Sequence, residues 1–282
     1  MAITIYPGPS AKIDNFTSSG TWVCPSGVYS AEFMVVGAGG GGGGTSVTSA
    51  THYAGGAGGG GGAVKKVKLP TVPGGSYTIT IGAKGAGASA AVGGNGGFSE
   101  VVYSGTTLIR SFGGQGGGAI IASVATLPTL YRTVAGAGGQ AVGGTTSSGS
   151  TGGGGGGAVN GGAGSLLYVA SETNVFWGVE GLRGSSGGTS TIQQNYGFGS
   201  GGIDGYGAGG SGGTTYVSTR QQSGASYFAG LGNLQSGTGA GNGAAAVDNT
   251  GCGGGGGASH TSSTSTSGGN GADGLIRIEY VA

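Results

Sequence analysis

Hydrophobic and polar positions alternate along both ends of the chain and lose any period in between. Near the C-terminus "LIRIEYV" puts Leu275, Arg277, Glu279 and Val281 on one side and Ile276, Ile278 and Tyr280 on the other, the two-residue period of a half-buried strand. Near the N-terminus, residues 21–24 and 29–36 predict two strands separated by the turn Pro25-Ser26-Gly27, with Trp22 and Phe33 as core residues. "AVKKVKLPTVPGGSYTITIGAKG" predicts two more strands around Pro73-Gly74-Gly75, and "FSEVVYSGTTLIRSFGG" a hairpin turning at Ser104-Gly105. No window repeats its apolar residues at helical spacing, so no amphipathic helix is predicted.

From about residue 113 to 271 the texture changes to glycine blocks, the cleanest at 113–118, 152–157 and 253–257, separated by segments rich in Ser, Thr, Asn, Tyr and Phe. Their irregular period excludes collagen and a fixed-repeat solenoid. The chain holds 79 glycines in 282 residues. Ordering each backbone costs about 1–2 kcal/mol, and more for glycine than for other residues. A glycine run has no side chains to bury, so whatever offsets that cost must come from paired N–H and C=O groups. The extended left-handed polyproline-II form points those groups sideways, and without Cβ atoms neighbouring runs can approach and bond laterally. The expected fold is therefore mainly β with polyglycine-II helices. It is a glycine-rich sandwich capped by an antiparallel β-layer from the N- and C-terminal strands, with essentially no α-helix. Residues 1–14 read as a short N-terminal segment and 15–282 as one domain. Within that domain 15–112 is mainly strand, 113–271 holds the polyglycine blocks with loops, and 272–282 is the closing strand. A buried glycine such as Gly154 should not tolerate valine.

Charge and motifs narrow the function. Charged residues are 7% of the chain and the formal net charge is +1, which gives no electrostatic footprint for nucleic acid or an anionic membrane. Lys65, Lys66 and Lys68 read as the solvated edge of a strand. The start "MAITIYPGPSAK" has no signal-peptide n-region, and the longest apolar stretch is far short of the ~20 residues a membrane helix needs. "EFMVVGAGGGGGG" contains G-x-G-x-x-G at Gly37, Gly39 and Gly42, but no helix pattern follows and no carboxylate occurs between Glu32 and Glu100, so the dinucleotide reading fails. Cys24 and Cys252 match no metal spacing and read as buried small hydrophobes in preference to a pair. The scattered carboxylates give no close acidic pair, there is no G-x-S-x-G elbow, and His52 reads as a loop residue in preference to a base. No enzyme, cofactor or metal site is expected.

"FTSSGTWVCPSGVYSAEFMVVGAGGGGGG", "PGGSYTITIGAKGAG" and "GGNGADGLIRIEYV" together resemble the glycine-rich domain of tailed-bacteriophage tail-fibre proteins and tip adhesins, including the polyglycine-II sandwich adhesins of T-even-like phages. The resemblance is specific at both ends and compositional in the middle. It implies a virion protein at a fibre or tail tip, made in the host cytoplasm, whose loops bind a host cell-surface protein or glycan. Its other partners would be fibre or tail proteins, with homo-oligomerisation a further option. T-even-like adhesins carry a substantial N-terminal attachment domain; here only residues 1–14 stand in that place, as a short attachment segment. A non-adhesive structural or decoration protein of tail or head is the second reading. An ice-binding or matrix role is the third, since insect glycine-rich antifreeze proteins look more regular in spacing.

Aromatic residues on loops serve as rigid anchors in recognition surfaces. The candidate receptor-binding residues are Tyr53, Tyr131, Arg132, Leu166, Tyr168, Phe176, Trp177, Tyr196, Phe198, Tyr216, Tyr227 and Phe228. "SLLYVASETNVFWGVEGLRG", residues 165–184, concentrates the largest apolar side chains and is the favoured contact, with a cap over the slab end as the opposing reading.

Overall fold

The computed structural model describes residues 10–46, 52–121, 124–126, 142–145, 149–151, 188–190, 206–212, 214–215, 229, 234–235, 240–260 and 265–282. Among the described residues the chain is mainly β, without a helix.

Eight strands carry the side-chain core: β1 (Ala11–Phe16), β2 (Gly20–Val23), β3 (Ser30–Val36), β4 (Val64–Pro70), β5 (Ser76–Thr80), β6 (Ser99–Tyr103), β7 (Thr106–Ser111) and β8 (Leu275–Val281). They form two open four-stranded antiparallel sheets, ordered β1-β8-β3-β4 and β2-β5-β6-β7. The predicted meeting of the chain's two ends is present, because β8 lies between β1 and β3 with Ile276 beside both Phe16 and Val35. The alternation also holds. Ile276 and Ile278 turn into a core shared by both sheets with Trp22, Phe33, Tyr77, Ile79 and Val101, while Leu275 joins Met34, Val36 and Val64 on the opposite face. Trp22 meets Phe33 edge-on at 5.8 Å and Tyr77 stacks on Tyr103 at 4.6 Å, geometries that add to simple burial. Turn residues sit where glycine is needed: Gly27 and Gly74 have φ of 86° and 74°, and Ser104-Gly105 both have positive φ, as a two-residue hairpin turn requires.

Most of these strands run directly into, or out of, a glycine run. The central one, residues 37–44, follows β3, and each of its N–H groups is donated to a different neighbouring run in strict rotation. Gly37, Gly40 and Gly43 donate to Ala63, Gly60 and Ala57; Ala38, Gly41 and Gly44 to Gly97, Gly94 and Ala91; Gly39 and Gly42 to Ala272 and Gly269, all at 2.8–3.1 Å. The carbonyls rotate likewise. Those of Ala38 and Gly41 accept from Gly114 and Gly117, those of Gly39 and Gly42 from Gly85 and Ala88, and those of Gly40 and Gly43 from Gly254 and Gly257. The partners that accept are antiparallel to the central run and those that donate are parallel to it, so backbone surrounds it on every side.

Such contact excludes a Cβ. One built on Gly42 would lie 2.0 Å from the Gly255 carbonyl oxygen, and one on Gly39 1.8 Å from that of Cys252. The runs before residue 112, inside a span read as mainly strand, thus belong to the same bundle as 112–118 and 251–257. Gly154 lies outside the described residues. Cys24 and Cys252 are both buried free thiols, as the sequence suggested. Cys252 packs among Ala208, Ala246 and Ala272, and burial pushes its thiol pKa up.

Candidate functional site

The connectivity gives the molecule two ends. β3, β5 and β7 lead into glycine runs and β4, β6 and β8 lead out of them, so the sheets lie at one end of the bundle and short strands at the other. Residues 10 and 282 pair with each other at the outer end of the sheets. At the opposite end the chain enters and leaves residues 47–51 and 261–264, and passes from Ala119–Ile121 to the segments beyond.

At this far end three small polar side chains meet. Thr45 ends the central run, pairing parallel with Ile120 and antiparallel with Thr266. Its hydroxyl lies 2.8 Å from that of Ser259 and 2.7 Å from that of Thr266, and its N–H donates to Thr266 Oγ1 at 3.3 Å. All three residues are buried. A buried hydroxyl left without a partner costs about 1–3 kcal/mol, so this knot holds three runs in fixed relative positions where the connecting segments begin.

Of the sequence-predicted contact residues, Tyr53 is placed in a short strand, His52–Gly55, opposite Gly144 and His260, and not in a loop. His52 opens that same strand, which corrects its reading as a loop residue. Tyr131, Arg132, Leu166, Tyr168, Phe176, Trp177, Tyr196, Phe198, Tyr216, Tyr227 and Phe228 lie outside the described residues, as does the rest of segment 165–184. Tyr206, in a β-bridge, is half-buried and packs on the Met34 cluster.

A second surface was not anticipated. Residues 95–98 and 112–115 line a shallow cleft beside the bundle. At its mouth Phe98 is exposed, with the Arg110 guanidinium 4.5 Å over its ring. Arg110 also donates twice to Glu100 Oε2, at 2.8 and 2.6 Å, so the carboxylate is neutralised by its own cross-strand neighbour. The cleft offers an aromatic edge and glycine backbone, a contact surface more than a reaction centre. Elsewhere, Lys84 bridges Asp248 and Asp273 at 2.9 and 3.4 Å, and the Asp248 hydrogen bond is the main reason its pKa is raised. The lysine cluster lies on β4, an outer strand of its sheet, with Lys66 paired to Glu32 at 2.8 Å, in keeping with a guarded edge.

The G-x-G-x-x-G run at 37–42 holds no phosphate cradle, because each of its N–H groups is consumed by a neighbouring glycine run. Residues 15–281 match the family model described as glycine-rich domain, and the chain belongs to that family. No curated protein matches the sequence.

Proposed function

Starting from a member of the glycine-rich domain family, we propose that the chain is a bacteriophage tail-fibre or tail-tip adhesin that binds a host-surface protein or glycan through loops carried on polyglycine-II helices. The observation that carries this reading is the three-fold rotation of hydrogen bonds along residues 37–44. Three residues per turn, backbone groups directed sideways and contact too close for Cβ atoms are the attributes of a polyproline-II-type glycine helix, whose eight residues span about 25 Å. A bundle of such helices is a stiff spacer with almost no side chains of its own. Recognition then falls to the connecting segments, and a rigid support lowers the entropy lost when they bind. The separation of the two large sheets from the strand pair Thr45–Ser46 and Ser265–Thr266 at the opposite end of the glycine runs suits a part that is held at one end and makes contact at the other. Residues 1–14 serve as the attachment segment in this reading, with 11–14 already held in β1.

The test uses the fluorescently labelled full chain on bacterial cells, beside the double variant Phe176→Ser/Trp177→Ser. The expected result is saturable surface binding by the parent and at least a tenfold weaker affinity for the variant, about 1.4 kcal/mol, with the melting temperature unchanged. Parent protein that binds no cell type saturably contradicts the adhesin reading. Unchanged binding by the variant removes segment 165–184 as the contact, and a large loss of melting temperature assigns it to the slab cap.

A further inference from the structure

The two outer strands of the first sheet are treated differently. β4 presents Lys65, Lys66, Lys68 and Pro70, all exposed, which discourage another strand from pairing there. β1 carries one exposed lysine, Lys12, with the opposite charge of Asp14 two residues on, and no proline. Ser10 and Ala282 exchange both backbone hydrogen bonds, at 3.0 and 3.2 Å, so every second residue from Ser10 onward directs its N–H and C=O toward β8. Ala11, Ile13 and Asn15 therefore direct theirs outward, and all three are exposed, Ile13 by 49%.

We propose that β1 is a homodimer edge: two copies of this chain pair their β1 strands antiparallel, centred on Ile13, joining the two sheets across a two-fold axis. The sequence is complementary to itself in this register alone. Ile13 faces Ile13 and Ala11 faces Asn15 as hydrogen-bonded pairs, which are the residues whose backbone groups point outward. Lys12 then faces Asp14 of the second copy, and Asp14 faces Lys12, in the non-hydrogen-bonded positions where side chains approach most closely. Asp14 Oδ2 already accepts the Trp22 indole N–H at 2.9 Å, which fixes the carboxylate at the edge. A generic strand laid on β1 would leave Lys12 and Asp14 opposite unmatched groups, whereas a second β1 neutralises both, so the charges select the partner.

Sedimentation of the full chain over a concentration series tests this. The mass is expected to double with concentration, and Ile13→Pro is expected to weaken the dimer at least tenfold. That proline removes an outward N–H and touches no bond to β8, so the melting temperature of the variant monomer should match the parent. Ile13→Cys should form disulfide-linked dimers under mild oxidation, while Asn15→Cys should do so only when mixed with Ala11→Cys; Cys24 and Cys252 are buried and do not compete. A chain that stays monomeric throughout, a dimer indifferent to Ile13→Pro, or Asn15→Cys linking alone as fast as Ile13→Cys overturns the proposal.

Discussion

A hydrogen atom is the largest side chain that position 42 accepts. The carbonyl of Gly255 would sit 2.0 Å from a Cβ there, and its neighbours are backbone that cannot swing aside as a flexible side chain would. Gly42→Ala must push a run away and orphan buried backbone groups at about 1–3 kcal/mol each, a loss of several kcal/mol in all. Gly20→Ala is the control, since nothing lies within 4 Å of its Cβ, and it should stay within about 0.5 kcal/mol of the parent. Denaturant melts of the two variants check this, and equal losses would contradict it. Alkaline pH acts on single residues too. Burial, and secondarily the neighbouring Asp14, raise the pKa of Tyr280. The unfolded chain then releases this proton first, so the stabilisation is complete below the ordinary tyrosine pKa of about 10 and is lost as pH rises through the folded value. Melting temperature followed from neutral to strongly alkaline pH should fall less steeply for Tyr280→Phe than for the parent.

At the scale of elements, the β6–β7 hairpin shows how one residue re-aims a strand. Counting back from the two-residue turn pairs Val102 with Thr107 and would then pair Val101 with Leu108. A bulge at Leu108 instead brings Ile109 opposite Val101 and Arg110 opposite Glu100. Ile109 is thereby buried while Leu108 is left 37% exposed. Deleting Leu108 should close the bulge and leave Ile109 opposite Val101 and Arg110 opposite Glu100, so the variant should melt close to the parent, whereas Ile109→Ser should lower the melting temperature markedly; equal losses would deny that Leu108 is the residue the bulge absorbs. The hairpin's strands and turn were legible in the sequence, whereas the bulge, and with it the Phe98–Arg110–Glu100 surface, was not, because nothing local marks where an extra residue is absorbed. β1 escaped notice for a related reason. Lys12 and Asp14 occupy the positions that face the core while Ile13 faces water, the inverse of the pattern by which β8 declared itself. Among the candidate contact residues, Tyr53 shows the limit of composition: "HYAG" reads as loop until its pairing with Val142–Thr145 and Ala258–His260 makes it a strand.

Taken whole, the molecule joins two ways of offsetting backbone entropy. The sheets do so with apolar side chains around Trp22, Phe33 and Ile276, and the glycine runs mainly with backbone bonds, supplemented by side chains such as Asn95 and Asn270. Sequence could foresee the second because a long glycine run leaves no other source of stabilisation, but it could not say which runs are neighbours, since glycines are interchangeable and only the strands at their ends set the register. The most direct measurement of the account is hydrogen exchange at the amides of residues 37–44. An ordinary edge strand protects every second amide, whereas a run that donates in rotation to three neighbours protects all of them. The account predicts slow exchange at consecutive amides throughout 37–44, as slow as in β3 and β8. Alternating protection, or exchange at the rate of an unstructured chain, would contradict it.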